Sequence, residues 1–118
     1  MPNGSRKYVW DDLTPDNPVP LLHRRRIHGD RVLVARMRLE KGCRVDLHSH
    51  ENEQISIVLS GLLNFFVGRD PTEEILLGAG EVLHLPSHTP HGVETLEDTV
   101  VIDLISPPGE MGVDRQGS

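Results

Sequence analysis

Four side chains that can bind a metal ion occur in this chain at a distinctive spacing. His48 and His50 are separated by one residue, Gln54 follows closely, and His91 comes much later, directly after Pro90. Side chains alternate along a strand, so two histidines one residue apart point to the same side, roughly 6–7 Å apart. Imidazole nitrogens and an amide oxygen suit one divalent transition ion such as Zn, Ni, Fe, Mn or Co. The spacing therefore predicts a single metal site formed by these residues.

Gln54 can join the two histidines only if the chain reverses. An unbroken strand would carry Gln54 far from His48, because each residue advances about 3.3 Å. The polar residues 51–53 are therefore predicted to turn the chain and return Gln54 on the next strand. His91 lies beyond another predicted strand in the sequence and would supply the last ligand.

Asp103 is the second candidate for chemistry. It interrupts an otherwise apolar segment, residues 100–105, where an unpaired carboxylate would be costly. One interpretation is a structural ion pair with an arginine from residues 24–38. The other is a general acid or base that faces a cavity, with its pKa set by burial and by the metal. The sequence leaves both interpretations open.

The segments that must position these residues have the character of short strands. Apolar residues alternate with polar ones, Gly, Pro and polar turns separate the segments, and no helical stripe of useful length is present. This pattern predicts an all-β fold, a single-domain antiparallel β-barrel or sandwich. The predicted strands are residues 31–39, 55–60, 62–67, 74–77, 81–85 and 99–106.

The chain of 118 residues is long enough for one domain with a real core. Residues 1–20, rich in Pro, Asn and Asp, are predicted to be an N-terminal arm. Residues 21–108 would form the domain, and the glycine-containing residues 109–118 a flexible C-terminal tail.

Composition narrows the classes of partner and compartment. The net charge of −6 argues against nucleic acid as a partner. Cys43 is the only cysteine, which excludes an intramolecular disulfide and fits a reducing compartment. No apolar run approaches membrane-spanning length. These observations predict a cytoplasmic protein that binds neither nucleic acid nor membrane.

Two separately spaced motifs resemble the signatures of the cupins. The first consists of Gly42, His48, His50, Gln54 and Gly61, and the second of Gly80, Pro86 and His91. Gln54 stands where many cupins carry Glu, and His88 and Thr95 replace a usual Gly and Asn. The resemblance implies the cupin jelly roll as the specific form of the predicted barrel.

Residues 84–103 more closely resemble small single-domain cupins of the pectin-degradation (KdgF) type. Members of that group open the ring of 4,5-unsaturated uronates. The resemblance implies metal ligation by His48, His50, Gln54 and His91, and a catalytic role for Asp103. The group typically carries Phe and Arg at two later positions, which here are Ile105 and Gly109.

These observations lead to one principal hypothesis and two alternatives. The principal hypothesis is a metal-dependent cupin enzyme acting on a small polar molecule with a carbonyl or carboxylate group, with uronate ring opening or isomerisation as the leading case. The first alternative is a dioxygenase that uses iron and oxygen, and the second is a non-catalytic ligand-binding or sensor cupin. A homodimer formed by packing or exchanging N-terminal strands is also expected, because several strands carry apolar residues on both faces.

Overall fold

The computed structural model describes residues 3–116, which form seven antiparallel strands and two short 3₁₀ turns. This architecture confirms the predicted all-β jelly-roll fold. The turns are Trp10–Asp12 and Gly112–Arg115. The strands are β1 (Leu22–His28), β2 (Leu33–Leu39), β3 (Arg44–His48), β4 (Glu53–Val67), β5 (Glu73–Gly78), β6 (Val82–Leu85) and β7 (His91–Ser106).

Two long strands, β4 and β7, run through the whole barrel and pair with each other along their length. The first half of β4 pairs with β6 and its second half with β5, while β7 pairs first with β3 and then with β2. The sequence pattern predicted two strands where β4 is continuous. The register of β4 against β7 shifts between Val58 and Leu63, around Gly61. Gly61 has φ +94°, and a Cβ there would lie 2.3 Å from the carbonyl oxygen of Asp98, so only glycine fits.

The core inside the barrel is mostly aliphatic, because the chain has only four aromatic residues, counting Phe, Trp and Tyr. Inward residues of β2 alternate with more exposed ones, which gives the strand one buried face. Each fully buried Leu, Ile or Val contributes roughly 1.5–3 kcal/mol through removal of its surface from water. The most deeply buried aliphatic side chains are Leu22, Leu33, Val58, Leu63, Leu85, Val101 and Ile105.

The segment that precedes β1 is partly attached to the sheet. Asp16 forms an antiparallel bridge with Arg24, and Val19 is buried in the core. The arm predicted for residues 1–20 therefore contacts the barrel through its last few residues. None of the helical turns in the described part of the chain is long and apolar enough to cross a membrane.

The C-terminal segment differs from the flexible tail expected for residues 109–118. Residues 111–116 pack against the barrel, and Met111, Gly112 and Val113 are buried. Asp114 pairs with Arg24 across 2.7 Å. Apolar contact and a partly buried ion pair thus order a segment whose glycines suggested mobility, while residues 117–118 lie outside the described range.

Candidate metal centre

The ends of three strands and one loop position the four predicted ligands. His48 is the last residue of β3 and pairs with His91, the first residue of β7. His50 follows in the loop between β3 and β4, where its carbonyl oxygen accepts a bond from the His88 amide at 2.7 Å. Gln54 is the second residue of β4 and pairs with Ile105 of β7. The structure therefore brings all four predicted ligands to one end of the barrel.

The three imidazole rings converge closely enough to share one ion. Ligand nitrogens of His48, His50 and His91 all lie within 4.8 Å of one another. Their ring centres are 5.7 Å apart for His48 and His50, 4.4 Å for His48 and His91, and 5.0 Å for His50 and His91. This is the spacing expected of ligands gathered around a single transition ion.

Backbone hydrogen bonds hold each ring in one orientation. The Nδ1 atoms of His48, His50 and His91 lie 2.8, 2.9 and 2.9 Å from the carbonyl oxygens of Asp46, Asn52 and Thr89. A carbonyl oxygen can only accept, so each Nδ1 carries the proton and each Nε2 of a neutral ring keeps a free lone pair. The bond at one ring nitrogen is what commonly orients a histidine that binds metal through the other.

The His50 and Gln54 side chains approach each other in an arrangement that suits a cation. The Nε2 atom of His50 lies 3.2 Å from Oε1 of Gln54. In a neutral ring with Nδ1 protonated, neither of these two atoms carries a hydrogen, so both can offer a lone pair to one positive ion.

Asp103 is tied to the same amide group. The Gln54 amide nitrogen donates to Ser56 Oγ at 3.0 Å and to Asp103 Oδ2 at 3.4 Å. The Ser56 hydroxyl donates in turn to Asp103 Oδ1 at 2.6 Å. The amide donors of Gln54 thus point to Ser56 and Asp103, while its oxygen points to the His50 imidazole. Among the described residues, the arginine ion pair considered for Asp103 is not formed; Arg24 pairs with Asp16 and Asp114, and Arg26 pairs with Asp16.

Burial disfavours the charged form of each group, so it raises the pKa of the carboxyl group and lowers the pKa of two of the imidazoles. It raises the pKa of the Asp103 carboxyl to about 6, although the hydrogen bond from Ser56 opposes the change. Burial lowers the pKa of His91 to about 4 and also lowers the pKa of His48. The imidazoles of His48 and His91 are therefore neutral near pH 7, as metal ligands must be.

The site opens into a small cavity inside the barrel, with a volume of about 50 Å³. Its polar wall consists of His48, Gln54, His91 and Asp103. The remaining wall is apolar and includes Leu22, Met37, Leu39, Val45, Leu63, Phe65, Val93, Val101, Met111 and Val113. Arg36 does not line this cavity and lies on the outer face of the sheet with Arg25 and Arg38.

Two groups of residues around the site were not predicted from the sequence. Ser56 shares the strand face of Gln54, and that parity was a signal for it. Asn52, expected only as part of a polar turn, is buried and donates its amide hydrogen to the Pro107 carbonyl, which fixes the turn between His50 and Gln54. Met111–Val113 carried no such signal, because their burial depends on contacts far away in sequence.

Comparisons with known proteins agree with this architecture. The cupin domain model matches residues 35–105. The structure of KdgF from Halomonas sp. superposes with a TM-score of 0.81 at 26% identity, covering 90% of this chain and 96% of that one. No curated protein matches the sequence.

Two further structures share the fold at lower identity. An RmlC-like cupin from Shewanella frigidimarina has a TM-score of 0.82 at 21% identity, covering 91% of this chain and 95% of that one. Oxalate decarboxylase from Bacillus subtilis, which contains Mn(II) centres, has a TM-score of 0.78 at 16% identity. That match covers 88% of this chain and 30% of the decarboxylase.

Proposed function

Because the chain belongs to the cupin domain family, and because three imidazoles converge beside a cavity that a buried carboxyl group lines, we propose that it is a metal-dependent enzyme. Its ligands would be His48, His50, Gln54 and His91, holding one divalent transition ion. The observation that carries the proposal is the position of Gln54. Its oxygen lies 3.2 Å from the His50 nitrogen, and its amide nitrogen lies 3.4 Å from Asp103.

The proposed substrate is a small polar molecule with a carbonyl or carboxylate group. An ion bound by neutral ligands keeps its positive charge and, when present, acts as a Lewis acid toward such an oxygen. A site of that charge would attract an anionic substrate even though the chain carries a net charge of −6.

Asp103 is the proposed proton-transfer residue. Its Oδ1 atom accepts the short bond from Ser56, whereas Oδ2 accepts only the long one from Gln54 among the described hydrogen bonds. Oδ2 is therefore the oxygen through which a proton would pass to or from the substrate. A carboxyl pKa of about 6 lies near neutral pH. A general acid or base is most effective when its pKa is close to the pH of the reaction.

Ring opening or isomerisation of unsaturated uronates is the leading specific reaction. It is supported by the likeness to KdgF, which extends over nearly the whole of both chains. The two departures from the KdgF pattern bear on substrate recognition. Ile105 is packed in the core with 2% of its surface exposed, and Gly109 is exposed. Neither offers a cation, so other groups would have to bind the uronate carboxylate.

The function can be tested with chelator-treated protein reloaded separately with Zn, Ni, Fe, Mn or Co. The assay follows loss of the conjugated double bond of a 4,5-unsaturated uronate, with oxygen present and absent. We expect turnover only in reloaded protein, independent of oxygen. Turnover that persists after metal removal would contradict the metal-dependent proposal. Absence of turnover with every metal would contradict the uronate reaction, and a requirement for iron and oxygen would favour the dioxygenase.

A further inference from the structure

We propose that residues 111–116, here called the C-terminal cap, form a gate that opens to give access to the metal centre. The cap lies directly over the site. A Cβ placed on Gly112 would lie 1.9 Å from one carbon and 2.0 Å from the Nε2 nitrogen of the His48 ring. That nitrogen is the one expected to face the metal, so the backbone of Gly112 covers the ligand itself.

The size of the cavity favours such a movement. With Met111, Gly112 and Val113 in its wall, the cavity measures about 50 Å³. A cavity of roughly 150 Å³ holds benzene, and a six-carbon sugar acid is larger than benzene. The cap is the part of the wall that belongs to no strand, so it can move without disrupting the ladder of the sheet.

A largely buried ion pair at this end of the barrel holds the cap closed. Asp114 accepts a bond from Arg24 at 2.7 Å, and the Arg24 side chain is 1% exposed. The same carboxylate accepts the Met111 amide at 2.9 Å, which closes the first turn of the cap on itself. Although burial opposes it, hydrogen bonding from Arg24 lowers the pKa of Asp114. Asp114 is therefore charged at neutral pH and the ion pair is formed.

A second contact attaches the end of the cap to the strand that carries His48. The Gln116 side chain accepts the Asp46 amide at 2.7 Å and donates to the Asp46 carbonyl at 3.0 Å. The Gln116 side chain thereby makes the two hydrogen bonds that the backbone of a neighbouring strand would make with the edge of β3. The Arg115 guanidinium also donates to the Ser49 carbonyl at 3.1 Å. The cap is joined to β7 by residues 107–110, of which Pro107, Gly109 and Glu110 are exposed. Such a short exposed linker can absorb the backbone rotation that opening requires.

Arg24 provides a matched pair of variants. Asp114 pairs with it from the cap, whereas Asp16 pairs with it from the N-terminal segment, through two bonds of 3.0 and 2.9 Å. Asp114→Asn and Asp16→Asn each remove one charged partner of the buried Arg24 guanidinium, but only Asp114→Asn removes the ion pair that holds the cap. A comparison of the two separates gating from a general effect on Arg24.

The first measurement is hydrogen exchange in metal-free wild-type protein. The amides of Asp114 and Gln116 bond only within the cap, to Met111 and Val113, so they report its opening. We expect them to exchange well before the central amides of β4 and β7. Exchange only together with those strands would overturn the proposal, because the cap would then be a fixed wall.

The second measurement is the rate at which zinc-loaded protein loses its ion to an excess of chelator. It rests on the proposed metal site, whereas the exchange measurement does not. We expect Asp114→Asn to release zinc about 10–100-fold faster, the usual effect of losing one charged hydrogen bond, and Asp16→Asn to stay near the wild-type rate. Equal acceleration in both variants, or none in Asp114→Asn, would overturn the proposal. If Asp114→Asn does not fold, Gln116→Ala replaces it, with the same expected and contrary results.

Discussion

At the scale of single residues, the identity of Gln54 follows from its two neighbours. Its amide nitrogen donates to Asp103 at 3.4 Å, and a glutamate there would instead place two carboxylates against each other in a buried site. We predict that Gln54→Glu lowers the melting temperature of metal-free protein, since an unsatisfied buried group costs about 1–3 kcal/mol. Like charges so close also raise a carboxyl pKa.

A double-mutant comparison provides the control for this prediction. Asp103→Asn in the Gln54→Glu background removes the second charge, so it should restore much of the lost stability. Thermal unfolding of the two single variants and the double variant measures the coupling. Purely additive effects would show that residues 54 and 103 do not interact in the way the hydrogen bonds indicate.

Asp103 itself is expected to be needed for turnover and not for metal binding. Asp103→Asn keeps the size of the side chain but removes the proton-transferring group, so we predict a loss of about 10²–10⁴-fold in turnover with metal content unchanged. Folding should survive, because Asn can still accept a bond from Ser56. Melting temperature and turnover are measured together. A lower melting temperature with activity per folded molecule intact would assign Asp103 a structural role instead.

At the scale of elements, the cap and the linker that precedes it each contain one glycine, and the two glycines have different surroundings. A Cβ on Gly112 would collide with the His48 ring, whereas one on Gly109 would meet only the Asn52 amide at 3.5 Å, an ordinary contact. We predict that Gly112→Ala displaces the cap and accelerates zinc release, while Gly109→Ala leaves the release rate unchanged. Chelator competition measures both rates. Identical rates in the two variants would mean that the cap does not approach His48 closely.

The strands and the site differ in how far the sequence predicts them. Period-two alternation located most strands, and the spacing of His48, His50 and His91 predicted their convergence. That alternation could not show that β4 continues through Gly61, because a bulge resembles a turn in sequence. The burial of Arg24 could not be predicted from the sequence, since one of its two acidic partners, Asp114, lies 90 residues away. The cap was missed for the same reason: its order comes from distant contacts that local composition does not encode.

At the scale of the whole molecule, we propose an outer face of the sheet as the surface through which a homodimer forms. Arg36, Ile102, Ile57 and Val82 lie side by side on β2, β7, β4 and β6. Val82 is 56% exposed. This row continues the apolar outer face that the sequence indicated, and a second copy of the chain would cover it.

Light scattering tests the dimer at micromolar concentration. We predict a mass of roughly twice the 13.2 kDa of one chain, reduced toward one chain by Val82→Glu. Leu76→Glu is the matched control, because Leu76 is similarly exposed, at 61%, but lies on β5, which pairs with the second half of β4 and not with the half that carries Ile57. A wild-type mass near 13.2 kDa would contradict the prediction, as would equal dissociation by both variants.

The most direct test of the metal centre is elemental analysis of purified protein with and without its first two ligands. Wild-type protein reloaded with a divalent transition ion and freed of excess should retain about one ion per chain. The His48→Ala, His50→Ala double variant should retain none, since the two remaining ligands cannot hold the ion through washing, while circular dichroism shows the same β-rich fold. Equal metal content in the two proteins would contradict the metal centre, and with it the proposed chemistry.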